Sequence, residues 1–341
     1  MFMSVMGIGT LLSVSSIHWL SIWAGLEINL IGFLPMLVYQ KSVAESQSAV
    51  KYFIIQAIGS SFLMFGSLLV FNMSFTWDMY TKISSPSVLG FTILISGLCI
   101  KLGLFPFHYW LPGVMAGLPW VSCLISTWQK LAPLFLILCL LELSQSYNMV
   151  ILLCAISAGS TLIGGVGGMN QTQIRALLAY SSISHLGWMM FALIHSEWTM
   201  KAYLGIYVLI SISLFMSLWY NDSGMMKNIN NLKNSGFAAL SIMLLLLSLG
   251  GLPPLLGFVS KWLVITASAT GPWAFTIFIL ILGSLMSLFY YLSLFFSVFL
   301  SNLKKYGINN QKVGHSVMIG INVFNLLGGI LILMTSLLSS V

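Results

Sequence analysis

Lys101, Lys130 and Lys261 each stand deep inside a hydrophobic stretch, and Glu27 stands inside an earlier one. A charge at the centre of a bilayer costs about 2.5–3.5 kcal/mol on insertion scales, so ionisable groups there are rare and mark function. Amines and a carboxylate that bind and release protons in an apolar setting are the raw material of a proton or cation path. Glu27 is expected to pair with Lys101. Lys130 lies one stretch later, in Ser126-Thr-Trp-Gln-Lys130-Leu-Ala-Pro133. If Lys101 and Lys130 are close, loading one discharges the other, and coupled sites of that kind hand a proton along. The competing reading of each lysine is a side chain that snorkels to the interface. Their depth, roughly 13 residues into the segment for Lys101 and 11 for Lys130, argues against it.

The elements that must position these groups are membrane helices. The chain has 341 residues, 59% hydrophobic and only 6% charged, which no soluble domain of this size resembles. Its formal charge of +7 comes without a basic run, so nucleic-acid binding is excluded. The four cysteines (Cys99, Cys123, Cys139, Cys154) have no ligand-like spacing and read as packing residues. No cleavable targeting peptide is visible. The fold class is an all-α polytopic membrane protein with about eleven transmembrane helices, at 3–20, 22–39, 50–72, 88–112, 119–142, 149–168, 173–195, 200–219, 237–268, 274–300 and 315–338. With loops alternating, eight bases fall on the side of the N-terminus (Lys41, Lys51, Arg175, Lys227, Lys233, Lys304, Lys305, Lys312) and two on the other (Lys82, Lys201). That bias makes the N-terminal side the side of synthesis and puts the C-terminus across the membrane. The longest loops, of about 15 residues, are too short for a nucleotide-binding unit or a metal cluster, so any redox chemistry belongs to a partner chain.

Two segments carry breaks. The fourth reads Gly97-Leu-Cys-Ile-Lys101-Leu-Gly-Leu-Phe-Pro106-Phe-His108-Tyr-Trp-Leu-Pro112, and the ninth reads Ser248-Leu-Gly-Gly-Leu-Pro253-Pro254-Leu-Leu-Gly257-Phe-Val-Ser-Lys261. Pro106, Pro253 and Pro254 are expected to break the hydrogen-bond ladder. A break is tolerated in a membrane where the backbone is buried or lines a wet cavity. Breaks at corresponding places in two halves point to a transport site. Each proline break joins a lysine, at what reads as equivalent positions. A single membrane domain, 1–341, is expected. It comprises a five-helix repeat over 1–142, an inverted copy over 149–300 and an extra C-terminal helix over 301–341.

Gly25-Leu-Glu27-Ile-Asn29-Leu, Lys51-Tyr-Phe53, Lys101 through Pro112, Trp128-Gln-Lys130-Leu-Ala-Pro133, Asn170-Gln-Thr-Gln-Ile-Arg175 continuing to Ser-His185-Leu-Gly-Trp188, and Gly251-Leu-Pro-Pro254 before Lys261 form an ordered set. Together they resemble, essentially end to end, the subunit 2 family of mitochondrial NADH–ubiquinone oxidoreductases, most closely its arthropod forms. The resemblance implies an antiporter-like subunit in the membrane arm of respiratory complex I. It implies proton translocation coupled to electron transfer on other chains. NADH, FMN, Fe–S clusters and ubiquinone would be held by those partners, with no cofactor or metal on this chain. It assigns Glu27, Lys101, Lys130 and Lys261 to a mid-membrane proton axis. The N-terminal side becomes the matrix, the other the intermembrane space, and the location the mitochondrial inner membrane. Expected partners are the other membrane-arm subunits and membrane lipids, with cardiolipin a candidate.

Weaker signals surround the axis. His185, with Ser181, Ser182 and Ser184, reads either as a proton relay extending a water wire between Lys130 and Lys261 or as a hydrogen-bonded packing histidine. His108 either admits protons after the break or satisfies freed backbone groups. His18, His195, His315 and Glu142 lie at segment ends and read as interfacial, and Arg175 reads as an anchor or lipid contact. Gly164-Gly165-Val-Gly167-Gly168 lacks the strand–turn–helix setting of a nucleotide loop and reads as close helix packing. Two rivals remain. One is a free-standing cation/proton antiporter, though a sodium site would favour carboxylates and carbonyls over three lysines. The other is a non-pumping scaffold, which leaves four buried charges unexplained and should tolerate neutral substitution at all of them.

Overall fold

In the computed structural model, the described residues are 1–39, 41–79, 88–143, 147–220, 236–269, 271–303, 320, 322, 323 and 325–328. They are almost wholly helical. In chain order the helices are α1 (Phe2–Ser15), α2 (Trp19–Leu37), α3 (Val43–Ser74), α4 (Val88–Leu102), α5 (Trp110–Gly117), α6 (Trp120–Gln129) and α7 (Leu131–Leu143). They continue with α8 (Tyr147–Gly168), α9 (Ile174–His195), α10 (Glu197–Tyr220), α11 (Gly236–Gly250), α12 (Leu256–Ser268) and α13 (Ala274–Leu303). Among the described residues there is no strand; an isolated antiparallel bridge joins His18 and Asp78. Seven helical stretches are long and apolar enough to cross a membrane, and four further apolar helices are shorter. The expected segment at 315–338 lies mostly outside the described residues, as do Lys82, Lys227, Lys233, Lys304, Lys305, Lys312 and His315.

The first helix is shorter than the 3–20 segment expected. It ends at Ser15 because Ser16 and His18 are extended. The freed strand is held by Trp19 N–H to the Trp77 carbonyl (3.0 Å) and Met79 N–H to the Ile17 carbonyl (3.0 Å). The His18 Nδ1 to Asp78 carboxylate contact (2.6 Å) joins the same two segments, which gives His18 a specific partner at its half-exposed site.

The chain divides into two compact units, Met1–Ile156 and Ser157–Val341. In the first, α1 packs along α2 and α3 along α4, and α7 touches α1 and α4. The α3–α4 approach is close because glycines face each other: a Cβ on Gly97 would lie 3.0 Å from the Gly59 carbonyl. In the second unit α9 is central, meeting α10, α12 and α13. Its apolar window is 89% buried, whereas that of α13 is 33% buried. The glycine-rich end of α8 packs as expected. Gly164 meets Tyr180 and Ser184 of α9, and Gly165 meets Gly283 of α13.

The two expected breaks are present, and their cause differs from the expectation. Glycine ends each leading half-helix, and the prolines follow. Gly103 (φ +74°) and Gly251 (φ +84°) are left-handed C-terminal caps. At the first, the Gly103 and Leu104 N–H groups both donate to the Cys99 carbonyl; at the second, the Gly251 and Leu252 N–H groups both donate to the Leu247 carbonyl. Pro106, Pro253 and Pro254 then keep the helix from resuming at once. The caps coincide in geometry, but the lysines are not equivalent. Lys101 precedes its cap, in α4, whereas Lys261 follows its cap, in α12. A third discontinuity, not foreseen, falls at Lys130 itself, between α6 and α7. Pro133 has no N–H for the carbonyl of Gln129, so the ladder opens there.

A Cβ on Gly251 would sit 2.9 Å from Lys261 Nζ, and one on Gly103 2.9 Å from Leu111 Cδ1. Left-handed backbone costs a non-glycine residue about 1–2 kcal/mol. Gly103→Ala and Gly251→Ala should therefore each lower the midpoint of thermal unfolding in detergent. Unchanged midpoints would show that the caps do not need glycine.

Candidate functional site

In the first unit the ends of three broken elements converge. Lys101 closes α4, Lys130 stands between α6 and α7, and α5 begins at Trp110. Both lysines are 8% exposed. They line one cavity of about 30 Å³ for water centres, with Phe33, Tyr52, Trp110, Ser126 and Gln129 in its wall. A site needs about 10–15 Å³ of such volume per water and several polar partners, so this one suits one or two waters. A second cavity of about 20 Å³ reaches Lys101 from the other side, bounded by Asn29, Tyr52, Gln56, Gln129 and Pro133. Asn29 Oδ1 and Gln129 Nε2 are buried there without a protein partner, as groups facing a water site would be. Lys101 and Lys130 thus line the same cavity.

The wall between the cavities is held by hydrogen bonds. The Tyr52 hydroxyl donates to Gln129 Oε1 (2.6 Å), with Phe33 and Trp110 edge-on against its ring. Carbonyls freed at the end of α4 are satisfied by side chains: Gln56 Nε2 donates to the Lys101 carbonyl (3.2 Å) and Trp110 Nε1 to that of Ile100 (3.1 Å). The Lys101 amine is therefore not used as a cap.

Glu27 and Lys101 do not form the direct ion pair expected of them. Among the described residues the ion pairs are His18–Asp78 and Lys201–Glu197, both half-exposed. Glu27 lies within electrostatic range of Lys101 and of Tyr52, with its Oε1 buried and unpaired. Glu27 itself does not line the smaller cavity, and its influence on Lys101 is exerted through space. His108 lines neither cavity; its Nδ1 contacts the Pro106 carbonyl (3.1 Å), the backbone-satisfying role.

The second unit is built differently. Lys261, 7% exposed, folds back across the break, and its Nζ donates to the Gly250 carbonyl (2.8 Å). A cation on the carbonyls that end α11 complements the helix dipole, so here the lysine is itself the cap. His185 is buried on α9 and its Nδ1 contacts the Tyr203 hydroxyl of α10 (2.9 Å). Tyr207, one turn on, packs against the imidazole at 5.2 Å between ring centres. Arg175 opens α9 half-buried, and Glu142 is exposed near the end of α7.

Several site residues were not singled out from sequence. Tyr52 and Gln129 lie inside motifs that carry the resemblance but have no role there, and Gln56 lies in none, although a polar side chain recurring on one face of an apolar helix is a signal. The break at Lys130 had one, Pro133 three residues on. Glu45, 2% exposed in the first turn of α3, also had one. Ser42 accepts its N–H (3.2 Å) in a Ser-x-x-Glu capping pattern. Among the described residues, no group of three or more His, Cys, Asp or Glu side chains is placed to hold a metal ion. What the arrangement offers chemically is two buried amines on one water-sized cavity with polar groups in its wall.

Comparisons with known proteins agree with this geometry. The family model described as NADH:quinone oxidoreductase/Mrp antiporter, transmembrane, matches residues 16–287. NADH-ubiquinone oxidoreductase chain 2 of Anopheles gambiae is 40% identical over 314 residues, 89% of this chain and 86% of that one. The Lumbricus terrestris protein of the same name is 39% identical over 298 residues, 86% and 85% of the two chains. A chain in the structure of respiratory complex I from Thermus thermophilus superimposes with TM-score 0.83 at 26% identity, over 96% of this chain and 77% of that one. The fold alone is shared with a chain of the Mrp complex from Dietzia sp., TM-score 0.82 at 15% identity, over 99% and 75% of the chains. By sequence and by fold, the chain belongs to the NADH-ubiquinone oxidoreductase chain 2 branch of the NADH:quinone oxidoreductase/Mrp antiporter family.

Proposed function

We propose that this chain is a proton-translocating subunit of the membrane arm of respiratory complex I in the mitochondrial inner membrane. NADH oxidation and ubiquinone reduction take place on partner chains, which hold NADH, FMN, Fe–S clusters and ubiquinone. Their free energy reaches this subunit as a change in electrostatics or hydration around Glu27 and Lys101. The observation that carries the reading is the polar-walled cavity shared by Lys101 and Lys130 in a chain of this family. When the influence of Glu27 on Lys101 weakens, Lys101 releases its proton toward Lys130. Lys261 loads or unloads the second half, with His185 as its neighbour in the relay. Moving one charge against the membrane potential costs about 2.3 kcal/mol per 100 mV, so the path must be gated. The small size of the two cavities supplies a gate, because a wire of one or two waters is interrupted by a modest side-chain movement.

The topology proposed is eleven crossings in two inverted five-helix repeats with an extra C-terminal helix, the N-terminus in the matrix and the C-terminus in the intermembrane space. The matching glycine caps at Gly103 and Gly251 support the repeat. The flanking partners are other membrane-arm subunits, and Arg175 at the start of α9 is the proposed contact for an anionic lipid such as cardiolipin. A free-standing cation/proton antiporter is the second reading, favoured by the fold shared with the Mrp chain. The relatives of about 40% identity favour the first.

Lys130→Met should leave the complex assembled and lower its proton-coupled NADH:ubiquinone turnover by about tenfold or more, the usual scale for a lost proton-transfer group. Intact turnover and intact protons per NADH would remove Lys130 from the path. On a native gel of solubilised membranes the chain should migrate only within the large NADH-oxidising band; migration near its own mass would favour the antiporter. A cysteine placed at exposed Ser46 (Ser46→Cys) should react with an impermeant maleimide in inside-out particles and not in intact mitoplasts. The reverse pattern would invert the topology.

A further inference from the structure

Tyr203 has no role in what has been said of the lysine axis, yet its hydroxyl meets side chains of two other helices. It is fully buried, 0% exposed, on the face of α10 that packs on α9 and α12. On one side its hydroxyl meets His185 Nδ1 at 2.9 Å. On the other it is approached by the hydroxyl of Ser260, the residue before Lys261 on α12. Ser260 otherwise donates to the Gly257 carbonyl within its own helix (2.9 Å), a bond that a hydroxyl can exchange by rotation. Tyr207 and Ser182 close the space around the imidazole. Three elements thus place imidazole, hydroxyl and hydroxyl in sequence, from α9 through α10 to α12. A tyrosine hydroxyl buried in an apolar bundle is costly unless both its donor and its acceptor capacity are used.

We propose that the Tyr203 hydroxyl is a proton-relay group linking His185 on α9 to the half-helix α12 that carries Ser260 and Lys261. The step conserves atoms and charge. The Nδ1–H bond of a protonated His185 breaks as a proton reaches the Tyr203 oxygen. The original Tyr203 O–H bond breaks as its proton passes to the Ser260 oxygen. Ser260 releases its own proton toward the neutral amine of Lys261. The net result is one proton moved from imidazolium to amine, with both hydroxyls restored neutral. Before the next passage both hydroxyls must rotate back, which makes the relay directional within one cycle. Lys261 lies at the receiving end. As an ammonium it caps α11 through Gly250, and as an amine it is free to accept.

This inference rests on the proton-pumping reading of the chain, and its test separates the two. Complex I carrying Tyr203→Phe is purified and reconstituted into vesicles, with Lys130→Met and Lys261→Met complexes in parallel. NADH turnover, vesicle acidification per NADH and the ratio of turnover in H2O to that in D2O are measured. Tyr203→Phe keeps the ring and its packing and removes only the oxygen. It should assemble, pump fewer protons per NADH or turn over about tenfold slower, and show a larger solvent isotope effect than the unaltered complex. A packing defect alone would not raise the isotope effect. Unchanged turnover, pumping and isotope effect in Tyr203→Phe, beside a Lys261→Met complex that no longer pumps, overturn the relay and leave the pumping reading intact. Full pumping by both lysine variants overturns the pumping reading, and the relay with it. If Tyr203→Phe does not assemble, Ser260→Ala decides: slower turnover with a raised isotope effect supports the relay, and wild-type behaviour overturns it.

Discussion

A backbone carbonyl in the interior of a membrane has no water to bond, so every broken helix must be capped by the protein itself. Much of this structure follows from that constraint. Ending α4 and α11 in mid-segment exposes carbonyls that cost several kcal/mol each if left alone. Left-handed Gly103 and Gly251 fold the chain back so that the next N–H groups serve two of them. The remainder need side chains. At α4 these are Gln56 and Trp110, and at α11 it is Lys261.

That difference gives the two halves different chemistry from one kind of break. Because Gln56 and Trp110 cap α4, the Lys101 amine is left to the cavities beside it, where it shares space with Lys130. Because Lys261 caps α11, its charge is tied to a helix end, and its protonation state is linked to the stability of that end. The first half therefore sets two amines on one water-sized cavity, and in the second an imidazole meets a tyrosine hydroxyl. Small residues make both possible. Gly59 and Gly97 let α3 approach α4 closely enough for Gln56 to reach the Lys101 carbonyl.

Glu27 illustrates how an electrostatic role need not be a contact. A direct ion pair with Lys101 would satisfy both charges and fix both groups. Through-space influence leaves the amine able to change partners and lets small displacements of α2 or of water alter the coupling.

By itself the sequence determined the membrane-helical class, the four buried charges, the broken fourth and ninth segments and the family. Each is written in local runs: apolar lengths that only a bilayer accommodates, charges whose insertion cost demands a purpose, and Pro-Gly punctuation inside segments too long to be loops. Only the tertiary structure decided which atoms meet. Tyr52 belongs to α3, Gln129 to α6 and Trp110 to α5, and no spacing along the chain brings them to one cavity. Lysines that read as equivalent in sequence sit on opposite sides of their caps, since a lysine side chain is long enough to reach back across a break. The first helix stops at Ser15 because a distant strand segment around Asp78 offers its backbone a better partner than another turn would. Helix and hydropathy are properties of neighbours in sequence; caps, cavities and relays are made between helices.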